Sequence, residues 1–102
     1  MMKERSSKAI ETERLLNNRY TAKCLSYIGE KSEIKKTELL RFCNANALSS
    51  LLKDAESANL VEIREEKHPQ TVYKINLTKK GEDVVNMYKR IEDIMSEKMF
   101  FE

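Results

Sequence analysis

The stretch LVEIREEKHPQTVYKINLTKKGEDVV, residues 60–85, changes its hydrophobic periodicity at Leu77 and Thr78. Up to Leu77, apolar side chains recur at every second position in two short segments, a spacing typical of half-buried strands. The inward faces of these predicted strands carry Val61, Ile63, Tyr73, Ile75 and Leu77. Residues 65–70 lie between the two segments and hold the only proline of the chain and no large apolar residue. They predict a hairpin tip in solvent.

A helix is predicted to begin directly after the hairpin. Thr78 can cap it, because a threonine oxygen accepts a hydrogen bond from a free backbone amide in the first helical turn. Behind this cap, apolar side chains form a wide stripe at helical spacing. The stripe consists of Val84, Met87, Tyr88, Ile91, Ile94 and Met95. Continued to residue 100, the helix would be roughly 33 Å long, longer than a small three-helix core can cover.

Two helical segments are predicted ahead of a tight turn at residues 44–46. The first has the pair Asn17-Asn18 as its cap and ends at Gly29, because glycine readily takes the left-handed conformation of a helix terminus. The second is about two turns long and has Thr37 as its cap. Its inward side chains are expected to be Leu39, Leu40 and Cys43, with Ile34 pointing inward just before it.

A third helix is predicted over residues 47–58, with Asn46 as its N-cap. Its buried face is expected to carry Leu48, Leu51, Leu52 and Ala55. Its outward face is expected to carry Ala47, Ser49, Ser50, Lys53, Asp54 and Glu56. Asn59 follows the helix, and asparagine tolerates the left-handed terminating conformation almost as well as glycine. The pattern indicates a helix with a small polar face and an apolar back.

Composition sets broad limits on the class of protein. The chain has 102 residues, of which 40% are hydrophobic and 35% are charged. One domain with a small hydrophobic core is therefore expected, and subunit association would bury more of its apolar surface. A formal net charge of +2 is too small to argue for nucleic acid by itself. The excess of basic residues lies in the N-terminal part of the chain, since residues 1–23 hold six basic and three acidic side chains.

The chemistry-bearing residues predict no catalytic, metal or cofactor site. Cys24 and Cys43 lack a CxxC spacing, and His68 is the only histidine. The number and spacing of these residues therefore predict neither a zinc site nor a disulfide-stabilised fold. The two cysteines could form a redox switch, but both fall on apolar faces, which favours buried, inert thiols. No signal peptide and no run of about 20 apolar residues is found, so a cytoplasmic protein without a membrane partner is expected. No small-molecule ligand is inferred.

The predicted order of elements resembles a winged helix-turn-helix. It consists of three helices, a hairpin and a final helix, with a short turn between the second and third helices. LKDAESANLVEIREE resembles the end of the recognition helix and the entry to the wing in MarR-like and other winged-helix regulators. YKINLTKKGEDVV resembles their return strand and the start of their last helix. The LTKKGE string is most similar to small archaeal winged-helix DNA-binding proteins that dimerise through that helix. The resemblance covers residues 19–95, with Asn59 where relatives usually have glycine.

The resemblance implies a mainly α fold with a small β-hairpin wing, of the α+β class. It divides the chain into an N-terminal arm or short helix at residues 1–17, a winged helix-turn-helix DNA-binding domain at 18–82 and a C-terminal dimerisation helix at 83–102. The implied partners are double-stranded DNA and a second copy of the chain. The implied function is that of a homodimeric transcriptional regulator, which is not an enzyme.

Candidate DNA contacts follow from the chemistry of the predicted surface. Asparagine can pair with adenine, serine can donate or accept, and lysine can contact guanine or a phosphate, so the polar face of helix 47–58 suits a major groove. A helix N-terminus near Lys35 and Lys36 suits a phosphate, and the wing suits the backbone or the minor groove. The candidates are Lys35, Lys36, Thr37, Asn44, Asn46, Ala47, Ser49, Ser50, Lys53, Arg64, Lys67, His68 and Gln70.

The far half of the last helix predicts a dimer interface, because its apolar stripe would be exposed in a monomer. The candidates are Ile10, Leu15, Leu16, Val84, Met87, Tyr88, Ile91, Ile94, Met95, Met99, Phe100 and Phe101. A helix folded back on its own domain would instead give a monomer. Two other functions stay open at this point: a winged-helix module that binds a protein partner, and a chromosomal protein without sequence specificity.

Overall fold

The structure, a computed structural model, describes residues 2–96, with side chains described from Ile10 onward. The helices are α1 (Met2–Asn17), α2 (Thr21–Lys31), α3 (Ala45–Ser57) and α4 (Lys79–Met95), with a 3₁₀ helix at Lys36–Arg41 between α2 and α3. The strands are β1 (Ile34–Lys35), β2 (Val61–Glu66) and β3 (Val72–Leu77). We call β2, β3 and the loop 67–71 the wing. This order confirms the predicted fold class.

The core is built from the inward faces that the periodicity predicts. α3 buries Leu48, Leu51, Leu52 and Ala55, and α2 buries Cys24, Leu25 and Ile28. Ile34, Leu39, Val61 and Ile75 close the core from the 3₁₀ helix and the sheet. Burial of one such large aliphatic side chain contributes about 1.5–3 kcal/mol to the stability of the fold. The buried faces of α2 and α3 therefore supply much of the stability of the domain.

The sheet has three antiparallel strands in the order β1-β3-β2. β2 and β3 form the predicted hairpin, with Val61 opposite Leu77. β1 was not predicted as a strand, because two residues are too few to show an alternating pattern. It places Ile34 opposite Ile75, and this pairing explains why Ile34 points inward as expected.

Both ends of α2 differ from the prediction. The helix begins at Thr21, and Asn18 Oδ1 accepts the Tyr20 amide at 2.7 Å, so the asparagine organises the turn before the helix rather than capping it. It runs through Gly29 to Lys31 and ends at Ser32, whose φ is 74°. The predicted end at Gly29 is therefore wrong.

The second helix is a 3₁₀ helix, and Thr37 is not its cap. Lys35 occupies the N-cap position, and its amide donates to the Glu38 carboxylate at 3.0 Å. Leu39 and Cys43 are buried, whereas Leu40 is 46% exposed, contrary to the prediction. The tighter winding accounts for this difference, since three residues per turn do not bring positions 39 and 40 to one face.

The start of α4 is attached to the end of α3 by a set of backbone contacts. Thr78 Oγ1 accepts the Gly81 amide at 2.9 Å, which confirms Thr78 as the cap, and donates to the Asn59 carbonyl at 2.6 Å. The Thr78 amide donates to the Leu60 carbonyl at 3.0 Å. Asn59 has a φ of 66°, the left-handed conformation predicted for it. The LTKKG string is thus the joint between α3 and α4.

An ion pair attaches α1 to α3. Arg14 Nε and Nη2 donate to the two carboxylate oxygens of Asp54 at 2.9 and 2.7 Å. Asp54 was expected on the outward face of α3 but is buried, with its side chain 12% exposed. Next to Arg14, Leu15 is 4% exposed and belongs to the core of its own domain. Its predicted place in a dimer interface is therefore wrong.

The Arg14 pair predicts an acid-sensitive contribution to stability. The hydrogen bonds from Arg14 lower the pKa of Asp54 below its ordinary value of 3.8, against the opposing effect of burial. A folded-state pKa below the unfolded one stabilises the fold above pH 3.8, and this stabilisation is lost as the pH falls through the lowered value. Replacing Arg14 with glutamine should therefore destabilise the fold at neutral pH and have a much smaller effect at acid pH.

Urea titrations of wild type and Arg14→Gln at a series of pH values measure this effect. Glu38 and Glu66 also have lowered pKa values, but both remain in the variant and cancel in the difference. A difference between the two proteins that does not change with pH would contradict the role given to the pair.

Candidate nucleic-acid interface

The outward side of α3 forms a polar surface that we call the α3 face. It consists of Asn46, Ala47, Ser49, Ser50 and Lys53. All are exposed except Ala47, which is half-buried. Asn44, rather than Asn46, caps α3, since its Oδ1 accepts the Ala47 amide at 2.8 Å. Asn46 therefore lies in the first helical turn with its side chain unoccupied by capping.

The 3₁₀ helix brings the next candidates to the root of the wing. Lys35 and Thr37 are exposed, and the Lys36 ammonium lies 5.4 Å from the centre of the Tyr73 ring. This cation–π contact holds Lys36 against β3. The anion site predicted at the helix N-terminus is not favoured here, because the Glu38 carboxylate already accepts the Lys35 amide in the first turn.

The tip of the wing stands in solvent as predicted, with Lys67, His68 and Gln70 exposed. Its cations are close to its own carboxylates. Arg64 Nη2 lies 2.9 Å from Glu33 and 3.1 Å from Glu66. The hydrogen bond from Arg64 lowers the pKa of the Glu66 carboxyl, and Lys74 adds to this effect. Positive charge at the wing is thus partly neutralised inside the protein.

Apolar side chains on α4 and α1 remain uncovered by their own domain. Met87, Ile91, Ile94 and Met95 are 61, 49, 54 and 79% exposed, and Ile10 and Leu16 are 47 and 66% exposed. Val84 packs partly against the core, and Tyr88 is half-buried. We call the six exposed residues the apolar strip. Met99, Phe100 and Phe101, which were also predicted for the interface, lie outside the described residues.

Both cysteines are buried and unpaired, as expected. Burial raises the pKa of the Cys24 thiol to about 12, and the neighbouring Cys43 side chain adds to the shift. A thiol with so high a pKa is almost wholly protonated at neutral pH and is a poor nucleophile. Among the described residues, no cluster of three metal-ligating side chains is found, and no helix is long and apolar enough to span a bilayer.

Sequence reasoning missed two ion pairs that shape this surface. Arg14 and Asp54 are 40 positions apart, and Arg64 reaches Glu33 from a different element. Charged residues are frequent in this chain, so no spacing rule could have selected these partners. Only the helical position of Asp54, between outward Lys53 and inward Ala55, indicated that the carboxylate lies at the edge of the α3 face.

The helices, the three-stranded sheet and the solvent-exposed α3 together define a winged helix-turn-helix. A MarR-family transcriptional regulator from Porphyromonas gingivalis W83 has this fold, with a TM-score of 0.73 and 18% identity over 88% of this chain and 90% of that one. FabT from Streptococcus pneumoniae, in complex with DNA, gives a TM-score of 0.63 and 19% identity over 94% of this chain and 73% of that one.

HlyU from Vibrio cholerae N16961 gives a TM-score of 0.62 and 22% identity over 85% of this chain and 94% of that one. No protein-family model and no curated protein sequence matches the chain. At these identities the structural likeness establishes the winged-helix fold. The fold prediction made from LTKKGE and the element order is thereby confirmed.

Proposed function

We propose that the protein is a homodimeric, sequence-specific regulator of transcription that binds double-stranded DNA. The observation that carries the proposal is the α3 face. Its small polar side chains and Lys53 lie in solvent, while Leu48, Leu51 and Leu52 on the opposite side of α3 are buried in the core. A helix can enter the major groove only if its outer side lacks bulk and carries hydrogen-bonding groups. The likeness of the fold to FabT, which is in complex with DNA, supports the proposal.

In this proposal α3 contacts base edges and the wing contacts the flanking backbone or minor groove. Asn46 and Lys53 are the strongest candidates for base contacts, because their side chains reach further than those of the serines. The candidates near the wing are Lys35, Lys36, Thr37, Arg64, Lys67, His68 and Gln70. Their role is to set the register on the duplex, since phosphate contacts position a protein without reading sequence.

Dimerisation through the apolar strip would present two copies of α3 to one duplex. A twofold dimer of this kind binds an inverted repeat with half-sites about one helical turn apart. The α4 part of the strip, Met87, Ile91, Ile94 and Met95, supports a dimer because uncovered apolar side chains on one helix mark an interface in soluble proteins.

Two measurements test the proposal. A gel-shift assay with mixed genomic fragments at low salt should show retarded DNA, and selection from a random pool should enrich an inverted repeat. No retardation at micromolar protein would refute DNA binding and favour a module that binds a protein partner, which the small formal net charge of +2 also suits. Retardation without an enriched sequence would refute specificity and leave a chromosomal protein.

Replacing Lys53 with alanine should weaken binding to the selected site by about 1–3 kcal/mol, because the variant has no ammonium to donate to a base edge. Lys79→Ala is the matched control, since it removes the same charge from an exposed position paired with Asp83. Titration of a labelled duplex measures both variants. Equal affinities of Lys53→Ala and wild type would remove Lys53 from the interface.

A further inference from the structure

A groove outside the predicted interface combines cations and aromatic rings. It lies between the start of α2 and the end of the 3₁₀ helix, and has a volume of about 500 Å³. It is lined by Arg19, Tyr20, Lys23, Arg41 and Phe42. We call it the basic groove. None of these residues is among the DNA contacts predicted from the sequence.

Aromatic rings hold the two arginines of the basic groove in place. The Arg19 guanidinium lies 5.2 Å from the centre of the Tyr20 ring and donates to the Tyr20 hydroxyl at 3.3 Å. The Arg41 guanidinium lies 5.0 Å from the centre of the Tyr27 ring, which itself packs edge-on against Phe42. Stacking leaves guanidinium N–H groups available and reduces the rotamer freedom that an anion would otherwise have to remove on binding.

The positive charge of the basic groove is not cancelled by the protein. Its lining contains no carboxylate, and none of Arg19, Lys23 and Arg41 forms an ion pair with a residue in the range 10–96. Glu38 is close enough for Arg41 to lower its pKa. Its carboxylate, however, is held by the Tyr27 hydroxyl at 2.8 Å and the Lys35 amide at 3.0 Å. The wing differs, since Arg64 contacts two acids there.

The basic groove adjoins the α3 face. Asn17 and Asn18, which connect α1 to α2, line a depression together with Ser50 and Lys53 of α3. Arg19 follows Asn18 directly in the chain, and Arg41 is three residues before Asn44, the cap of α3. The same depression is also lined by Glu13 and by the Arg14–Asp54 ion pair, so a strand whose bases meet Ser50 and Lys53 passes these side chains before it reaches the cations of the groove.

We infer that the basic groove binds the phosphodiester backbone of the duplex whose bases α3 contacts, so that Arg19, Lys23 and Arg41 supply phosphate contacts in addition to those proposed for the partly neutralised wing. The inference rests on the proposed function and adds a second contact region to it. Phosphate is the suitable ligand because guanidinium groups donate two parallel hydrogen bonds to its oxygens, and because a backbone is recognised in the same way at any sequence.

The test uses the full chain and the duplex selected from the random pool. Replacing Lys23 and Arg41 together with glutamine should lower affinity about tenfold at moderate salt. The slope of log K against log salt should become shallower by about 3.6, because the proposed dimer loses two phosphate contacts in each protomer and each contact accounts for about 0.9 of the slope. Hydroxyl-radical footprinting should lose protection at sugars outside the base pairs covered by α3. Base specificity should be unchanged.

Lys79→Gln/Lys89→Gln is the matched control, because it removes two charges from exposed positions of α4, and it should keep the wild-type slope. Lys23→Gln alone is a second variant that leaves the Arg41–Tyr27 stack intact, with an expected slope change of about 1.8, because one contact is lost in each protomer. Circular dichroism and melting check folding. If wild type binds and both groove variants keep its affinity and slope, the groove assignment is overturned while the proposed function stands. If the wild-type protein retards no duplex, both the proposed function and the assignment of the basic groove are refuted.

Discussion

A Gly81→Ala variant is expected to lose about 3 kcal/mol of unfolding free energy, although alanine is the better helix former by about 1 kcal/mol. A Cβ at position 81 would clash with the Leu60 carbonyl oxygen and would lie 3.2 Å from Leu77 Cδ2. The carbonyl cannot move aside freely, because it accepts the Thr78 amide. Relief of the clash would separate α4 from the end of α3 and break the joint between them.

Gly29→Ala is the control for this prediction. Its Cβ would meet Leu77 Cδ1 at 3.0 Å, which is the end of a flexible side chain, and Val85 Cγ1 at 4.0 Å. The gain in helix propensity and the required shift of Leu77 nearly offset each other, so a change within about 1 kcal/mol is expected. Urea unfolding at one protein concentration measures both variants, since the stability of the proposed dimer would depend on concentration. A Gly81→Ala protein as stable as wild type would show that the close approach to Leu60 is absent.

An Ile91→Asp variant is expected to be monomeric at concentrations where wild type is a dimer. Ile91 lies in the middle of the apolar strip and is 49% exposed in the single chain, so aspartate should cost the monomer little. In a dimer each copy would bury an unpaired carboxylate, at a cost of about 3–5 kcal/mol. At about 1.4 kcal/mol for each factor of ten, the dissociation constant should rise more than about a hundredfold. Affinity for an inverted repeat should fall with it, because a monomer occupies one half-site.

Asn86→Asp adds the same charge to an exposed position of α4 outside the apolar strip and should leave the dimer intact. Sedimentation velocity at micromolar concentration gives the mass of each variant. A wild-type monomer would refute the homodimer, and a dimeric Ile91→Asp protein would move the interface away from this strip.

Much of the fold was predictable because its signals are local. The strand alternation at residues 61–77, the Thr78 cap and the left-handed Asn59 each depend on a few neighbouring residues and a fixed backbone geometry. The α3 face could be predicted in the same way, since helical spacing separates inward leucines from outward polar groups. Its proposed contacts with DNA remain predictions.

The errors arose where a local signal had two physical meanings. Gly29 suits a helix end, yet here it lets Leu77 pack close to α2 in mid-helix. Leu15 was assigned to an interface together with Leu16, but α1 turns Leu15 into the core and leaves Leu16 exposed. Asp54 has the spacing of a solvated side chain, but Arg14 packs beside it and covers it.

By itself, the sequence determined the order of the helices and the wing hairpin, the buried face of α3 and the Thr78 cap of α4, because backbone hydrogen bonding and apolar periodicity act over a few residues. Only the tertiary structure decided which charges are cancelled and which are free. Arg64 meets Glu33 and Glu66, whereas Arg19, Lys23 and Arg41 gather without an acid in their groove. Electrostatic partners are set by distance in space, and residues far apart in the chain become neighbours only when the helices pack.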